Sequence, residues 1–489
     1  MTVSQSIHKL VDYACTKLGL DKRDADYKLN GLVDMLGVDV YEENDEVCAA
    51  DPDVNALLAE FTEACVSAGL FEQADAAYYC DKVMGYLSAN PSTVDSTVRF
   101  VADTKHDNMA GMRWLYDYCV ANTYVKKAVL DKNPRFESHG LIVTINLAKP
   151  EFRDPKKAAS GNSVKGGYPK CVICQQNVGF AARSKCTLRT TDVDLNGNEY
   201  FWQFSPYGYF YQHGICVNKQ HTPMHVDRQT LLNLVEFVRL FPDYFIGSNA
   251  ALPRIGGSVL AHDHYQGGGE ILPLHNAPLR TQMRLSGYDD LTIGTLEWPG
   301  TCIRVSGTDR NRIVDVADKI RVAWENYTDE SLGIVCRDEE GRHSAVSPTV
   351  VKRGDVYEMN LILRNNITSA QYPDGVFHAH PEFHSVKKES IGLIEAQGLF
   401  ILPGRLVKQL ADVEACVANG KLTDDLADFT MVYDEVSALC GKNADAEQIH
   451  AAMQDELGSI CYRILQNTAV FKQEEQTIAF LERIGFEKR

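Results

Sequence analysis

Gly256-Gly257-Ser258-Val259-Leu260-Ala261-His262-Asp263-His264-Tyr265-Gln266-Gly267-Gly268-Gly269 reads as an apolar strand that runs into His-x-His-x-Gln and a glycine run. Alternation along a strand sends every second side chain to one face, so His262, His264 and Gln266 point the same way. Two imidazoles and an amide on one side of a strand end, with glycines before and after, form a candidate phosphate site. Glycine lets backbone N–H groups come close to an anion. A neutral imidazole placed there can be a nucleophile, a general base or a metal ligand. A bare His-x-His also arises in strands through packing alone.

The chain has 489 residues, 45% hydrophobic and 24% charged, an ordinary globular composition with room for about two to four domains. Lys and Arg number 49 against 66 Asp and Glu, for a net charge of −17 and a pI near 5.3. That argues against a general nucleic-acid binder, whose phosphate contacts need a basic surface. A small anionic ligand stays open, because local cations can oppose the global field. Met1 to Gln5 leads into an amphipathic pattern, so no secretory leader is expected. No apolar run reaches the roughly 18 residues of a membrane span. Fourteen cysteines are scattered without a compact framework, so a cytoplasmic chain with free thiols and one metal site is expected.

Residues 1 to 132 carry helical spacing, as in Ile7, Leu10, Val11 and Ala14, with stops at Gly37, Gly69 and Asn90-Pro91. No chemistry is visible there. Gly140 to Leu147 then reads as a strand, followed by the basic residues Lys149, Arg153, Lys156 and Lys157, read as a solvated loop. Cys171-Val172-Ile173-Cys174 has a spacing that suits zinc or a redox pair. Tyr200 to Phe204 and Phe210 to Val217 read as paired strands, and Asp227 to Leu240 as a helix. Further strands are expected at 291–293, 301–305, 333–336, 345–351 and 356–363, with a helix from Arg310 to Tyr327. A second His-x-His, His378-Ala379-His380, follows, and the chain is mostly helical from Leu406. The pattern suggests two related α+β halves, each ending in a strand that carries His-x-His.

Several stretches together resemble the galactose-1-phosphate uridylyltransferase family. They are Cys171 to Cys174, Asn218-Lys219-Gln220-His221, Gly257 to Gln266, Arg364 to Ser369, Pro373 to His380, and Ile391 to Leu406. They are most similar to its second class, which carries an extra helical N-terminal region. The resemblance implies the histidine-triad superfamily and an α+β fold. A duplicated antiparallel-sheet core would be joined to a helical N-terminal region and a helical C-terminus. The expected divisions are 1–134, helical; 135–280, the first half with the metal site and nucleophile; and 281–489, the second half with the C-terminal helices.

The same resemblance implies roles. His264 matches a covalent nucleophile and Gln266 the amide that holds the transferring phosphoryl group. Asn249, Gly257, Ser258 and Glu395 match substrate-binding positions, Glu395 on the hexose. Cys171, Cys174, His221 and His262 match four ligands of a structural zinc, which resolves the open reading of Cys171. The first class can carry a second metal on a glutamate and three histidines. His378 and His380 match two of those, but no glutamate stands near Arg280, so that metal is not expected. A first-class serine three places before the zinc histidine is Val259 here, with Ser258 beside it. The implied reaction is uridylyl transfer from UDP-glucose to galactose 1-phosphate, giving UDP-galactose and glucose 1-phosphate by a ping-pong route. The partners are these small molecules, with no nucleic acid or membrane, and a homodimer is compatible. The rivals are a nucleotide hydrolase or adenylyl transferase of the same superfamily, and a zinc-stabilised binding protein without turnover.

Overall fold

The computed structural model describes residues 1–147, 167–257, 259–441 and 443–489. Lys149, Arg153, Lys156, Lys157 and Ser258 therefore lie outside the described residues.

The N-terminal region is helical, with helices at Val3–Lys17, Ala25–Leu36, Val54–Ser67, Ala76–Leu87, Pro91–Lys105 and Asn108–Ala121. Local chemistry sets their ends. Thr2 and Gln5 form a reciprocal capping box on the first helix. Gly37 ends the second helix at φ 65°, a left-handed conformation that favours glycine. Pro91 occupies the first turn of the fifth, where its missing N–H costs no bond.

The strands are β1 (Arg135–Ser138), β2 (Leu141–Asn146), β3 (Thr191–Leu195), β4 (Asn198–Phe204), β5 (Gly214–Asn218), β6 (Phe245–Gly247), β7 (His264–Gly268) and β8 (Leu279–Leu285). They continue with β9 (Thr292–Leu296), β10 (Cys302–Gly307), β11 (Arg337–Asp338), β12 (Gly341–Arg342), β13 (Ser344–Arg353), β14 (Val356–Asn365), β15 (Leu399–Pro403) and β16 (Phe486–Lys488). Eleven of them form one sheet in the order β16-β8-β9-β10-β14-β13-β6-β7-β5-β4-β3.

That order contains a duplication. Three strands β3-β4-β5, a helix at Arg228–Leu240, then β6 and β7 give the spatial order 3-4-5-7-6. Three strands β8-β9-β10, a helix at Arg310–Glu325, then β13 and β14 give 8-9-10-14-13. The two units meet where β13 pairs antiparallel with β6, Thr349 opposite Gly247. Both helices cover one face of the sheet, burying Leu231, Leu234, Ile320 and Trp324 against Trp202, Tyr265, Val305 and Leu361. The same core continues into the N-terminal helices through Ile7, Leu32, Phe61 and Leu115.

The opposite face is covered by the sheet β1-β2-β15 and the C-terminal helices. β2 pairs antiparallel with β1 and parallel with β15, and all six of its residues are buried. Leu141 and Val143 pack with Leu457 and Ile460 of the helix Ala446–Thr468, while Ile142 packs with Leu399 and Ile401. Among the described residues no helix is long and apolar enough to cross a membrane. All fourteen cysteines carry free thiols.

Three sequence expectations are corrected. Residues 259–263 are not a strand that ends in the histidines; β7 begins at His264, so His262 stands before the alternating stretch. Instead of joining the sheet, this segment wraps the chain before the helix Arg228–Leu240, Met224 N donating to Leu260 O at 2.9 Å and Asp263 N to Thr222 O at 2.7 Å. Val259 packs with Cys171, Cys174, Phe201 and Val217. Second, His378 and His380 sit on turns after β14, since the chain leaves the sheet at Asn365. Third, 333–336 is not a strand: Gly333 takes φ 70° and Ile334 makes one isolated bridge to Asp329.

Candidate active site

Tyr265 points into the helix-covered core, so its neighbours His264 and Gln266 face the other way. They line a cavity of about 1010 Å³. Its walls come from the Cys171–Cys174 turn, the end of β4, residues 249–257, Val259 and Leu260, residues 387–395 and the N-terminal helical region. His264 is 5% exposed. Its Nδ1 lies 2.8 Å from the carbonyl oxygen of His262. A carbonyl only accepts, so Nδ1 carries the proton and Nε2 keeps its lone pair. Burial holds the imidazole below its usual pKa, which keeps it neutral at pH 7.

The glycines divide into two kinds. Gly256 and Gly257 line the cavity. A Cβ on Gly257 would lie 2.8 Å from Asn249 Nδ2, so that approach needs glycine. Gly267 and Gly268 are instead paired within the sheet, Gly267 opposite Gly214 and Ile246. They serve close strand packing and not an anion cradle.

Asn249 is buried and joins the two halves. Its Oδ1 accepts from Leu393 N at 2.9 Å. Its Nδ2 has no hydrogen-bond partner among the described residues and faces the cavity. A buried amide donor left open points to a ligand that accepts. Glu395 also lines the cavity. It accepts from Gly392 N at 3.1 Å and forms a buried ion pair with Lys387, a partner the sequence did not reveal. Lys387 also lies 3.3 Å from Glu389. Of the second His-x-His, His378 reaches the cavity, while His380 stacks on Tyr372 at 4.0 Å and bonds Val376 O.

Cys171, Cys174, His221 and His262 converge, all four ligand atoms lying within 4.8 Å of one another. Cys171 Sγ is 3.4 Å from Cys174 Sγ and 3.3 Å from His262 Nδ1, and Cys174 Sγ is 3.2 Å from His221 Nδ1. A tetrahedral ion with sulfur and nitrogen ligands has ligand–ligand edges of roughly 3.3–3.8 Å, so this group can hold a metal ion. The surroundings fit that use. His262 Nε2 donates to Asn218 O at 2.7 Å, which turns Nδ1 toward the cluster. Asn177 Nδ2 donates to the carbonyls of both Cys171 and Cys174 at 2.8 Å, fixing the turn.

Between the two histidines, Asp263 is fully buried. Its Oδ2 accepts from Tyr200 Oη at 2.9 Å and from Asn218 Nδ2 at 3.3 Å. Asn218 thus ties His262 and the start of β7 to one point. Asp263 is buried just before β7 begins, and nothing in the sequence identifies its partners.

Two family models cover most of the chain. The model of the galactose-1-phosphate uridyl transferase N-terminal domain matches residues 41–223, and that of the C-terminal domain matches 236–431. A galactose-1-phosphate uridylyltransferase of Bifidobacterium longum is 53% identical, the match covering 100% of this chain and 99% of that protein. Proteins of the same name from Latilactobacillus sakei and Ligilactobacillus salivarius are 35% and 34% identical. Those matches cover 94% and 92% of this chain, and 95% and 92% of the relatives.

Proposed function

Because the chain belongs to the galactose-1-phosphate uridylyltransferase family, we propose that its cavity transfers a uridylyl group from UDP-glucose to galactose 1-phosphate. The protein is a nucleotidyltransferase. Nε2 of His264 attacks the α-phosphorus of UDP-glucose, the bond to the bridging oxygen breaks, and glucose 1-phosphate leaves with that electron pair. A phosphate oxygen of galactose 1-phosphate then attacks the uridylyl-histidine, forming UDP-galactose and restoring the imidazole. The observation that carries this reading is the 2.8 Å contact between His264 Nδ1 and His262 O. The carbonyl keeps the proton on Nδ1 through both half-reactions and stabilises the positive charge that grows on the ring as the N–P bond forms.

Gln266 and the open Nδ2 of Asn249 are the donors for phosphoryl oxygens, and Gly257 gives them room. Glu395 accepts from hexose hydroxyls. Cys171, Cys174, His221 and His262 would hold a zinc ion, and with every position taken by the protein that ion would be structural. His262 then fixes the carbonyl that orients His264.

Incubation with uridine-labelled UDP-glucose alone tests the reading. A stable label on His264, released as UDP-galactose when galactose 1-phosphate is added, supports it. Steady hydrolysis of UDP-glucose without acceptor would favour the hydrolase. Binding without release of glucose 1-phosphate would favour a protein that only binds nucleotide.

A further inference from the structure

The N-terminal helices supply one wall of the cavity, although the sequence shows no chemistry there. Asp81, in the helix Ala76–Leu87, accepts from Cys186 N at 3.0 Å and from Thr187 Oγ1 at 3.1 Å. Asn122 donates to Thr187 O at 2.8 Å. A Cβ on Gly85 would lie 2.4 Å from Cys186 Cβ, so the helix meets this segment at a glycine. The result is that Lys126 and Lys185 line the same cavity as His264. Lys185 Nζ donates to Tyr124 Oη at 2.9 Å and lies 5.1 Å from the centre of that ring.

Of the other cations that line the cavity, Lys388 stands beside Lys387 on the wall formed by residues 387–395, and three are engaged. Lys387 pairs with Glu389 and Glu395, Arg254 donates to Asn366 O, and Arg183 donates to Asn177 Oδ1. Lys126 and Lys185 have no carboxylate ion pair among the described residues. Asp81 acts electrostatically on both, and its oxygens are already bonded to Cys186 and Thr187. Two cations that form no ion pair and share the field of a single carboxylate, facing a cavity in a chain of net charge −17, select for an anion.

We propose that Lys126 and Lys185 form a phosphoryl-binding subsite, through which the helical N-terminal region takes part in substrate binding. This rests on the reading of the cavity as a uridylyl-transfer site, where both substrates carry phosphoryl groups. The group bound belongs either to the nucleotide or to the sugar 1-phosphate. Burial pushes the Lys185 ammonium down to about 8, and an anion beside it would reverse that shift.

Calorimetric titration of the full-length protein with UMP, galactose 1-phosphate, uridine and galactose tests the subsite without turnover. In Lys126→Met and Lys185→Met, the dissociation constant of a phosphorylated ligand should rise about tenfold, while the phosphate-free ligands are unaffected. Lys185→Arg should restore most of the loss. A change confined to UMP assigns the subsite to the nucleotide, and one confined to galactose 1-phosphate assigns it to the sugar phosphate. Unchanged binding of both phosphorylated ligands overturns the proposal. So does an equal loss for uridine and UMP, which would mark a change of shape and not of charge. These outcomes do not depend on transferase activity, so failure of the uridylyl-transfer reading would be seen separately, as wild-type protein that takes no label.

Discussion

The backbone N–H of Leu393 donates to Oδ1 of Asn249 at 2.9 Å, so a side chain that follows β6 is clamped by the segment that carries Glu395. That bond orients the Asn249 amide and leaves Nδ2 for the cavity. Two substitutions separate the roles. Asn249→Ala removes both bonds, and should lower kcat/KM for UDP-glucose about 10²-fold. It should also cost about 1–3 kcal/mol of stability by stranding the Leu393 N–H. Asn249→Asp keeps an acceptor for Leu393 but opposes the phosphoryl group with a carboxylate. It should lose as much activity with little change in thermal midpoint. Parent-like turnover by Asn249→Asp would remove Asn249 from the substrate site.

The metal site predicts a coupled loss. Cys171→Ser should bind substoichiometric zinc, against about one per chain in the parent. Because metal binding is linked to folding, its thermal midpoint should fall with metal content. Activity should fall too, since His262 supplies the carbonyl that orients His264. Elemental analysis beside a thermal scan decides it. A variant that stays fully loaded and equally stable would exclude Cys171 as a ligand.

Short-range signals were legible and long-range ones were not. Alternation put His264 and Gln266 on one face because β7 is a true strand from His264 onward. The Cys-x-x-Cys spacing marked half of a metal site, but His221 and His262 join it only through the fold, and only the family resemblance named them. The segment before His262 misled because its apolar residues look like a strand. Val259 is buried against the Cys171–Cys174 turn, which no local pattern encodes. Lys126 and Lys185 were invisible for a related reason. Lys126 stays exposed and Lys185 half-buried, and they come to line one cavity only because Asp81 and Gly85 bring distant segments together.

Glu395 calls for a conservative probe. It is paired with Lys387, whose side chain is 2% exposed. Glu395→Ala would leave that buried ammonium with Glu389 and the Ile401 carbonyl alone, and would confuse stability with binding. Glu395→Gln keeps an oxygen for the Gly392 N–H and loses only the charge. If Glu395 holds the hexose, Glu395→Gln should raise the Michaelis constant for galactose 1-phosphate several-fold while leaving UMP affinity alone. Unchanged constants for both substrates would place the hexose elsewhere.

Stability should depend on pH through the C-terminal helices. Arg463 bonds Glu435 at 2.6 Å and Glu456 at 2.5 Å. Burial, with Glu435 beside it, pushes the Glu456 carboxyl up to about 8. An acid whose pKa is raised by folding binds its proton more tightly in the folded state. Its contribution is complete below the unfolded value of about 4.3 and is lost as pH rises toward 8. The slope between is at most about 1.4 kcal/mol per pH unit. Denaturant midpoints from pH 5 to 9 should therefore decline more steeply in the parent than in Glu456→Gln. Parallel profiles would show that Arg463 keeps Glu456 ionised throughout.

The most demanding test concerns His264. It is buried, opens on the cavity and is left out of the metal cluster. If its Nε2 bonds to phosphorus in both half-reactions, His264→Gly should lower exchange of glucose 1-phosphate with UDP-glucose by several orders of magnitude. Its zinc content should match the parent, because the carbonyl of residue 262 and the four ligands are untouched. Removing the ring leaves space the size of an imidazole on the cavity wall. A uridylyl-imidazole added in solution can occupy that space with its phosphorus near the position it holds on the enzyme. Galactose 1-phosphate would then release imidazole and yield UDP-galactose. His264→Asn should be as inactive but unrescued, since its side chain fills part of the space. Loss of activity alone would also follow from a structural role, so the rescue discriminates. Folded, zinc-loaded His264→Gly that exchanges at the parent rate would refute covalent catalysis by this residue.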